Sequence, residues 1–288
     1  MPLSKGKYTI IDLHNLKQKV ACLTLDVEQD YGELLEEPSY EGLGRISDLV
    51  GFFKKRDIPL TCFVQGSLFE THPAEIEKLS ALDAEFELHS YSHPGLRGAS
   101  TEIEIEKGKE AYHKFLGRDP VGYRAPMGVI GRGDYEILAS QGFRFDSSVF
   151  PSLRPNAFNN LGLPTKPYLV NQFQIVEFPF SVFSSVIRIP IALSYIKLLG
   201  KPYFYSLKTF PLPGLIVFDF HLHDLFRLNS ANKILLDKFP FLYRRVFKRI
   251  YCGEKVNGVH ILDEFIKILK KRNYTFLKLI DVYEAASR

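Results

Sequence analysis

The chain has 288 residues, 45% of them hydrophobic and 24% charged, with a formal net charge of +4. That composition excludes a disordered chain, and so mild a positive balance does not by itself demand a nucleic-acid or anionic partner. The length suits one α/β barrel, which commonly takes about 250 residues.

The first twenty residues, MPLSKGKYTIIDLHNLKQKV, contain no apolar stretch of secretory-leader length. No window reaches the ~18 apolar residues of a membrane span. The expectation is a cytoplasmic protein. The three cysteines, Cys22, Cys62 and Cys252, are odd in number and far apart. They argue against a disulfide framework and fit a reducing compartment.

In chain order, VACLTLD (20–26) reads as a strand. Residues 43–56 place Ile46, Leu49, Val50 and Phe53 at helical spacing. IPLTCFV (58–64) is strand-like, and His72 to Leu82 reads as a helix with Pro73 in its first turn. AEFELH (84–89) is the third strand. Thr101 and Glu104 form a capping-box pattern that opens a helix running to about Leu116. VGYRAP (121–126) is a short strand, 133–140 a helix, and GFRFDSS (142–148) a strand again. Residues 150–174, rich in Pro, Asn and Gly, read as a long connection. FQIVEFPFSVF (173–183), LPGLIVFDFH (212–221) and YTFLKL (274–279) are further strands, and 259–272 is an amphipathic helix. Strands alternating with helices imply parallel β-α units, closed as a barrel or open as a doubly wound sheet. In either case chemistry collects at the carboxyl ends of the strands.

Those ends are unusually polar. After the first strand, Asp26, Glu28 and Asp30 alternate and share a side while the chain stays extended. Three carboxylates on one face repel unless a cation, a proton or solvent relieves them; a solvated acidic turn is the simpler reading of this stretch alone. His89 and His93 stand four apart, a spacing at which two imidazoles can meet one metal ion but also that of a surface pair. Arg124 precedes Ala-Pro where a strand must stop. Asp146 begins an Asp-Ser-Ser that alone reads as a cap or turn. Asp219, His221 and His223 share a face if the strand continues, and the histidine pair comes after six apolar residues, in a run where unpaired polar groups cost roughly 2–7 kcal/mol. The items are weak singly; falling together at consecutive strand ends, they are what an active site at one barrel face requires.

With LDVEQD, HSYSH, RAP, FDSS and FHLH in this order, the chain resembles the polysaccharide deacetylase family (NodB homology, carbohydrate esterase 4) over roughly residues 20–280. Asp-Val-Glu in the first motif resembles a subgroup, the commoner form being Asp-Asp. The resemblance implies a distorted (β/α)7 barrel in a single domain, residues 19–288, preceded by an N-terminal extension, 1–18. It implies Asp26 as catalytic base and Glu28, or else Asp30, as the metal-binding acid. His89 and His93 match the metal histidines, and Arg124 the residue that orients the base. Asp146 matches the aspartate supporting a late histidine, and His221 or His223 the general acid, with His221 preferred because it directly follows the apolar strand. The implied cofactor is a divalent metal ion, zinc first, with cobalt, nickel or manganese as alternatives.

The implied reaction is hydrolysis of the N-acetyl amide of an acetylated amino sugar in a glycan, glycolipid or nucleotide sugar. Alternatives are another C–N bond, a formamide or cyclic amide, and a non-catalytic carbohydrate-binding barrel. Residues 195–213 and 238–251 mix aromatics with Lys and Arg. Such segments can rest on an anionic membrane surface and present a lipid-linked sugar, or contribute aromatics to the core and leave their cations solvated. Basic residues are otherwise spread along the chain without a recognised module, so no nucleic-acid partner is expected.

Overall fold

The run from Val20 to Val27 is buried throughout and belongs to the longest described strand of a ten-stranded sheet. Such runs suit a strand whose two faces are both covered by protein. The structure, a computed structural model, describes residues 8–13, 16, 18–94, 102–155, 157–252 and 257–286. Its strands in chain order are β1 (Tyr8–Ile10), β2 (Lys19–Val27), β3 (Leu60–Val64), β4 (Ala84–Leu88), β5 (Gly122–Tyr123) and β6 (Phe145–Asp146). They are followed by β7 (Leu153–Arg154), β8 (Phe158–Asn159), β9 (Tyr168–Val170), β10 (Ile175–Glu177), β11 (Leu215–His221) and β12 (Tyr274–Phe276).

The sheet order is β1-β9-β10-β6-β5-β4-β3-β2-β11, with β12 also on β2. Neighbours from β10 through to β11 run parallel, giving the seven parallel strands β10, β6, β5, β4, β3, β2 and β11. β9 joins β10 antiparallel, and β1 joins β9 antiparallel. Residues 8–10 of the expected extension are therefore an edge strand. On β2, β12 pairs with Lys19 to Ala21 and β3 with Thr24 to Val27, so two strands share its length.

The segment after β10 completes the ring. Ser181 N donates to the Val217 carbonyl at 3.2 Å, and Val217 N donates to Ser181 Oγ at 2.8 Å. This is the distorted (β/α)7 barrel in one domain. Only three residues of the expected strand 173–183 pair as β10; Pro179 has no N–H to continue the ladder. Within the expected connection 150–174, β7 and β8 form a small hairpin and β9 returns to the sheet.

The helices Ile46–Lys54, Pro73–Leu79, Glu102–Leu116, Arg132–Ser140 and Gly258–Lys271 occupy the expected places. Thr101, the expected cap, lies outside the described residues. The main core packs Leu23, Leu25, Leu49, Phe53, Leu60 and Leu68 with Phe218, Phe220, Leu262 and Phe265. The stretch 195–213 divides: Ile196, Tyr203 and Leu207 are core, whereas Tyr205 and Phe210 are exposed. Cys22 and Cys62 are buried free thiols. Among the described residues no helix is long and apolar enough to cross a membrane.

Candidate active site

Parallel registry brings the polar ends together. His221 lies beside Asp26 in the pairing of β11 with β2, and Arg124 follows β5, where its N–H continues the ladder to the Leu88 carbonyl. Glu28 and His89 lie just past the ends of β2 and β4.

Two imidazoles converge on one carboxylate oxygen. Nε2 of His89 and Nε2 of His93 lie 2.9 and 2.7 Å from Glu28 Oε2. All three side chains are buried. Nδ1 of His89 is 2.8 Å from the Arg124 carbonyl. A carbonyl only accepts, so Nδ1 carries the hydrogen and a neutral His89 presents a lone pair at Nε2. That lone pair and a carboxylate oxygen repel at 2.9 Å unless a proton or a cation relieves them. Two imidazoles and one carboxylate also form the donor set of an open divalent-metal site. The residues present therefore fit a divalent ion.

The loop carrying His93 turns sharply: Ser90 and His93 have φ of 57° and 55°, in the left-handed region that costs a non-glycine residue. Glu104 holds it. Oε2 accepts from Ser90 Oγ at 2.7 Å, Tyr91 N at 3.2 Å and Ser92 N at 2.8 Å, while Oε1 accepts from Ser92 Oγ at 2.9 Å. A residue read as half of a capping box thus clamps the histidine loop.

Arg124 is 1% exposed, and its charge is met from several sides. Nη1 donates to Asp26 Oδ1 at 2.6 Å, Asp219 Oδ1 at 2.8 Å and Thr24 Oγ1 at 3.0 Å; Nε donates to the Ser147 carbonyl at 2.8 Å. The rings of Phe63 and Phe180 lie over the guanidinium, with centroids 4.1 and 4.5 Å from Cζ. A planar cation between aromatic faces is a role lysine cannot copy. Burial, then the nearby Asp26 charge, pushes Asp219 up to about 7 despite His221 and Arg124.

On the far side of Glu28, Nε2 of His221 is 3.5 Å from Glu28 Oε1 and 3.7 Å from Asp26 Oδ2. Its Nδ1 is 2.9 Å from Asp224 Oδ2. Burial opposes its charge, but Asp219, Glu28 and Asp224 raise His221 well above the ordinary imidazole range. Burial pushes Asp224 the other way, yet the His221 hydrogen bond and the Lys197 charge hold it well below the usual carboxylate range. His223 is different. Burial and the neighbouring His221 lower it to about 3, and its Nδ1 accepts from Tyr31 N at 3.3 Å.

Residues 15–145 match the family model described as polysaccharide deacetylase. Over that stretch the chain is similar to polysaccharide deacetylases. It is 30% identical over 118 residues to the peptidoglycan deacetylase-like protein FGM2 of Gibberella zeae, covering 38% of this chain and 32% of that protein. It is 29% identical over 107 residues to a peptidoglycan deacetylase of Helicobacter pylori, 36% of each. The chain thus spans about a third of the length of the curated relatives it matches. In fold it is similar to a crystal structure of a candidate polysaccharide deacetylase from Mycobacterium smegmatis, with TM-score 0.55 and 21% identity over 99% of this chain and 93% of that one.

Asp30 and Asp146, two of the expected site residues, make other hydrogen bonds. Asp30 accepts from Ser39 Oγ at 2.8 Å and from Gly42 N at 3.2 Å, which ties the following turn; burial raises it to about 6. It is in none of the potential metal clusters among the described residues. Asp146 accepts from Ser148 Oγ at 2.6 Å and Ser148 N at 3.0 Å, and Ser148 Oγ accepts from Ala125 N at 2.7 Å. It therefore anchors the backbone next to Arg124, while the late histidine is held by Asp224.

The deacetylase-like motifs left Asp224, Glu104 and Lys197 without roles. For Asp224 a signal existed: an acid three residues after a histidine that ends a strand and opens a helical turn.

Proposed function

We propose that this chain is a metal-dependent deacetylase that hydrolyses the N-acetyl amide of an acetylated amino sugar, in the Asp-Val-Glu variant of the first family motif. One observation carries the reading: Glu28, His89 and His93 meet around one carboxylate oxygen, between an arginine-held Asp26 and an aspartate-held His221.

A divalent ion held by Glu28, His89 and His93, zinc first, would polarise the amide carbonyl and supply water acidic enough to ionise near neutral pH. Asp26 accepts a proton from the attacking water. Arg124 fixes the direction of Asp26 and is itself immobilised by Asp219, Ser147 and the two phenyl rings. His221, protonated at Nε2, gives that proton to the nitrogen as the C–N bond breaks; acetate and the free amine are the products. Asp224 holds Nδ1–H of His221, fixing the ring's orientation and tautomer. The family match and the relatives support a substrate class for this reading. It is an acetylated glycan of N-acetylglucosamine type, with peptidoglycan as its polymeric form and lipid-linked or nucleotide-linked sugars as its small ones.

The test is acetate release from chitin oligomers, peptidoglycan fragments, nucleotide-linked and lipid-linked N-acetylglucosamine, after chelation and zinc re-addition. Metal-restored release by the wild type, lost by about 10²-fold or more in Asp26→Asn with metal content unchanged, is the expected result. Near-normal rates in Asp26→Asn would overturn the base assignment. Silence on every substrate with metal bound would redirect the site to another C–N bond.

A further inference from the structure

The helix Phe241–Tyr251 has an unusual outer face. At 3.6 residues per turn, Phe241, Leu242, Arg244, Arg245, Lys248 and Arg249 fall within an arc of roughly 160°, and all six are exposed. Phe241 and Leu242, adjacent in the first turn, are 73% and 69% exposed. The opposite side carries Val246, Phe247 and the buried Ile250.

The helix Leu193–Leu199 packs against Phe241–Tyr251 and leads through Gly200 into the helix Lys201–Thr209, where Lys201, Tyr205 and Lys208 are exposed. Arg249 bridges the two, its guanidinium lying against Gly200. Neither helix contains an acidic residue; the nearby Asp237 pairs with Arg244 at 2.9 Å.

We propose that this face docks the protein on an anionic lipid bilayer, with Phe241 and Leu242 entering the interface and Arg245, Lys248, Arg249, Lys201 and Lys208 meeting headgroup phosphates. Two adjacent exposed apolar side chains flanked by cations suit a headgroup–acyl boundary, which offers negative charge and an apolar layer together. A second copy of this chain does not offer that chemistry: a two-fold contact through this face would set cations against cations.

The inner end of the same helix reaches the site. Tyr251 packs edge-on against Tyr31 and His223, with centroids 5.1 and 5.5 Å apart, and His223 stacks on His221 at 4.8 Å. A helix with its side chains is about 10 Å across, so docking holds the site near the headgroup layer. The docking is independent of the catalytic reading and can be measured with inactive protein.

The experiment is co-sedimentation of the full chain with phosphatidylcholine vesicles, with and without phosphatidylserine. Pelleting is expected only with the anionic vesicles, and it should fall with added salt. Arg245→Glu with Lys248→Glu, and separately Phe241→Ser with Leu242→Ser, should each weaken it by about tenfold or more. All four positions are exposed, so an unchanged unfolding transition accompanies the loss. Failure of the wild type to pellet with anionic vesicles would overturn the proposal, as would equal pelleting by both double variants. Lipid-free self-association abolished by Phe241→Ser would also overturn it, assigning the face to a second copy.

Discussion

Asp224 Oδ2 lies 2.9 Å from Nδ1 of His221, three residues earlier in the chain, and is itself 3.8 Å by Oδ1 from the Lys197 ammonium. A strand-ending histidine and a helix-opening aspartate thus form a pair at one turn of chain. If His221 is the proton donor to the leaving amine, Asp224 sets its tautomer and supports its charge. Asp224→Asn removes the charge and keeps the shape. The expected outcome is a fall in kcat of about 10²-fold with KM and metal content little changed. Asp224→Glu, with its carboxylate retained, is expected to recover part of the loss. An unchanged kcat in Asp224→Asn would remove Asp224 from the proton path.

The metal assignment can be separated from turnover by stability. An ion that binds only the folded chain, present at about a hundredfold excess over Kd, stabilises it by ~2.7 kcal/mol. For a domain of this size that is roughly 5–10 °C in Tm. Wild-type protein stripped by a chelator should therefore melt lower and recover on adding zinc. Glu28→Gln keeps the volume but weakens the donor set around which His89 and His93 converge, and should show little recovery. A wild type whose Tm ignores chelation, with no metal detected by elemental analysis, would refute the site.

How much of this was legible follows from burial. β2, β3 and β11 are covered on both faces, so their sequences read as largely apolar runs, with Asp26 and His221 at the ends of β2 and β11; β4 alternates apolar and acidic residues before His89. β5 and β6 are two residues each, too short for periodicity; only Arg124 and Asp146 marked their ends. The helices Leu193–Leu199 and Lys201–Thr209 were hidden because their aromatics serve both the core and an exposed face. Motif order grouped Glu28, His89 and His93, and the three side chains do converge. It had no access to side-chain direction, however, and so did not register that Asp30 is bonded to Ser39 and Gly42, and Asp146 to Ser148. Glu104 adds what spacing does not record: its oxygens accept from residues 90–92, across a gap that no pattern at that scale spans.

The barrel interior carries a second pair of acids whose effect should appear in stability. Glu85 and Glu87 alternate on β4 and are 6% and 1% exposed. Glu85 Oε2 accepts from Thr61 Oγ1 at 2.7 Å, and Glu87 Oε2 accepts from Val121 N at 2.8 Å and Gly122 N at 2.6 Å. Burial, then the charge of Glu85, raises Glu87 well above the ordinary range, and burial raises Glu85. For an acid raised in the folded state, the unfolded chain gives up its proton first as pH rises. The stabilisation is full below the ordinary glutamate value of about 4.3 and is lost as pH climbs through the folded one. Unfolding free energy should therefore decline toward alkaline pH. Glu87→Gln keeps an acceptor for Val121 and Gly122 but cannot ionise, so its decline should be shallower than that of the wild type. Denaturant unfolding across the neutral-to-alkaline range reads both slopes; parallel slopes would show that Glu87 does not carry the proton.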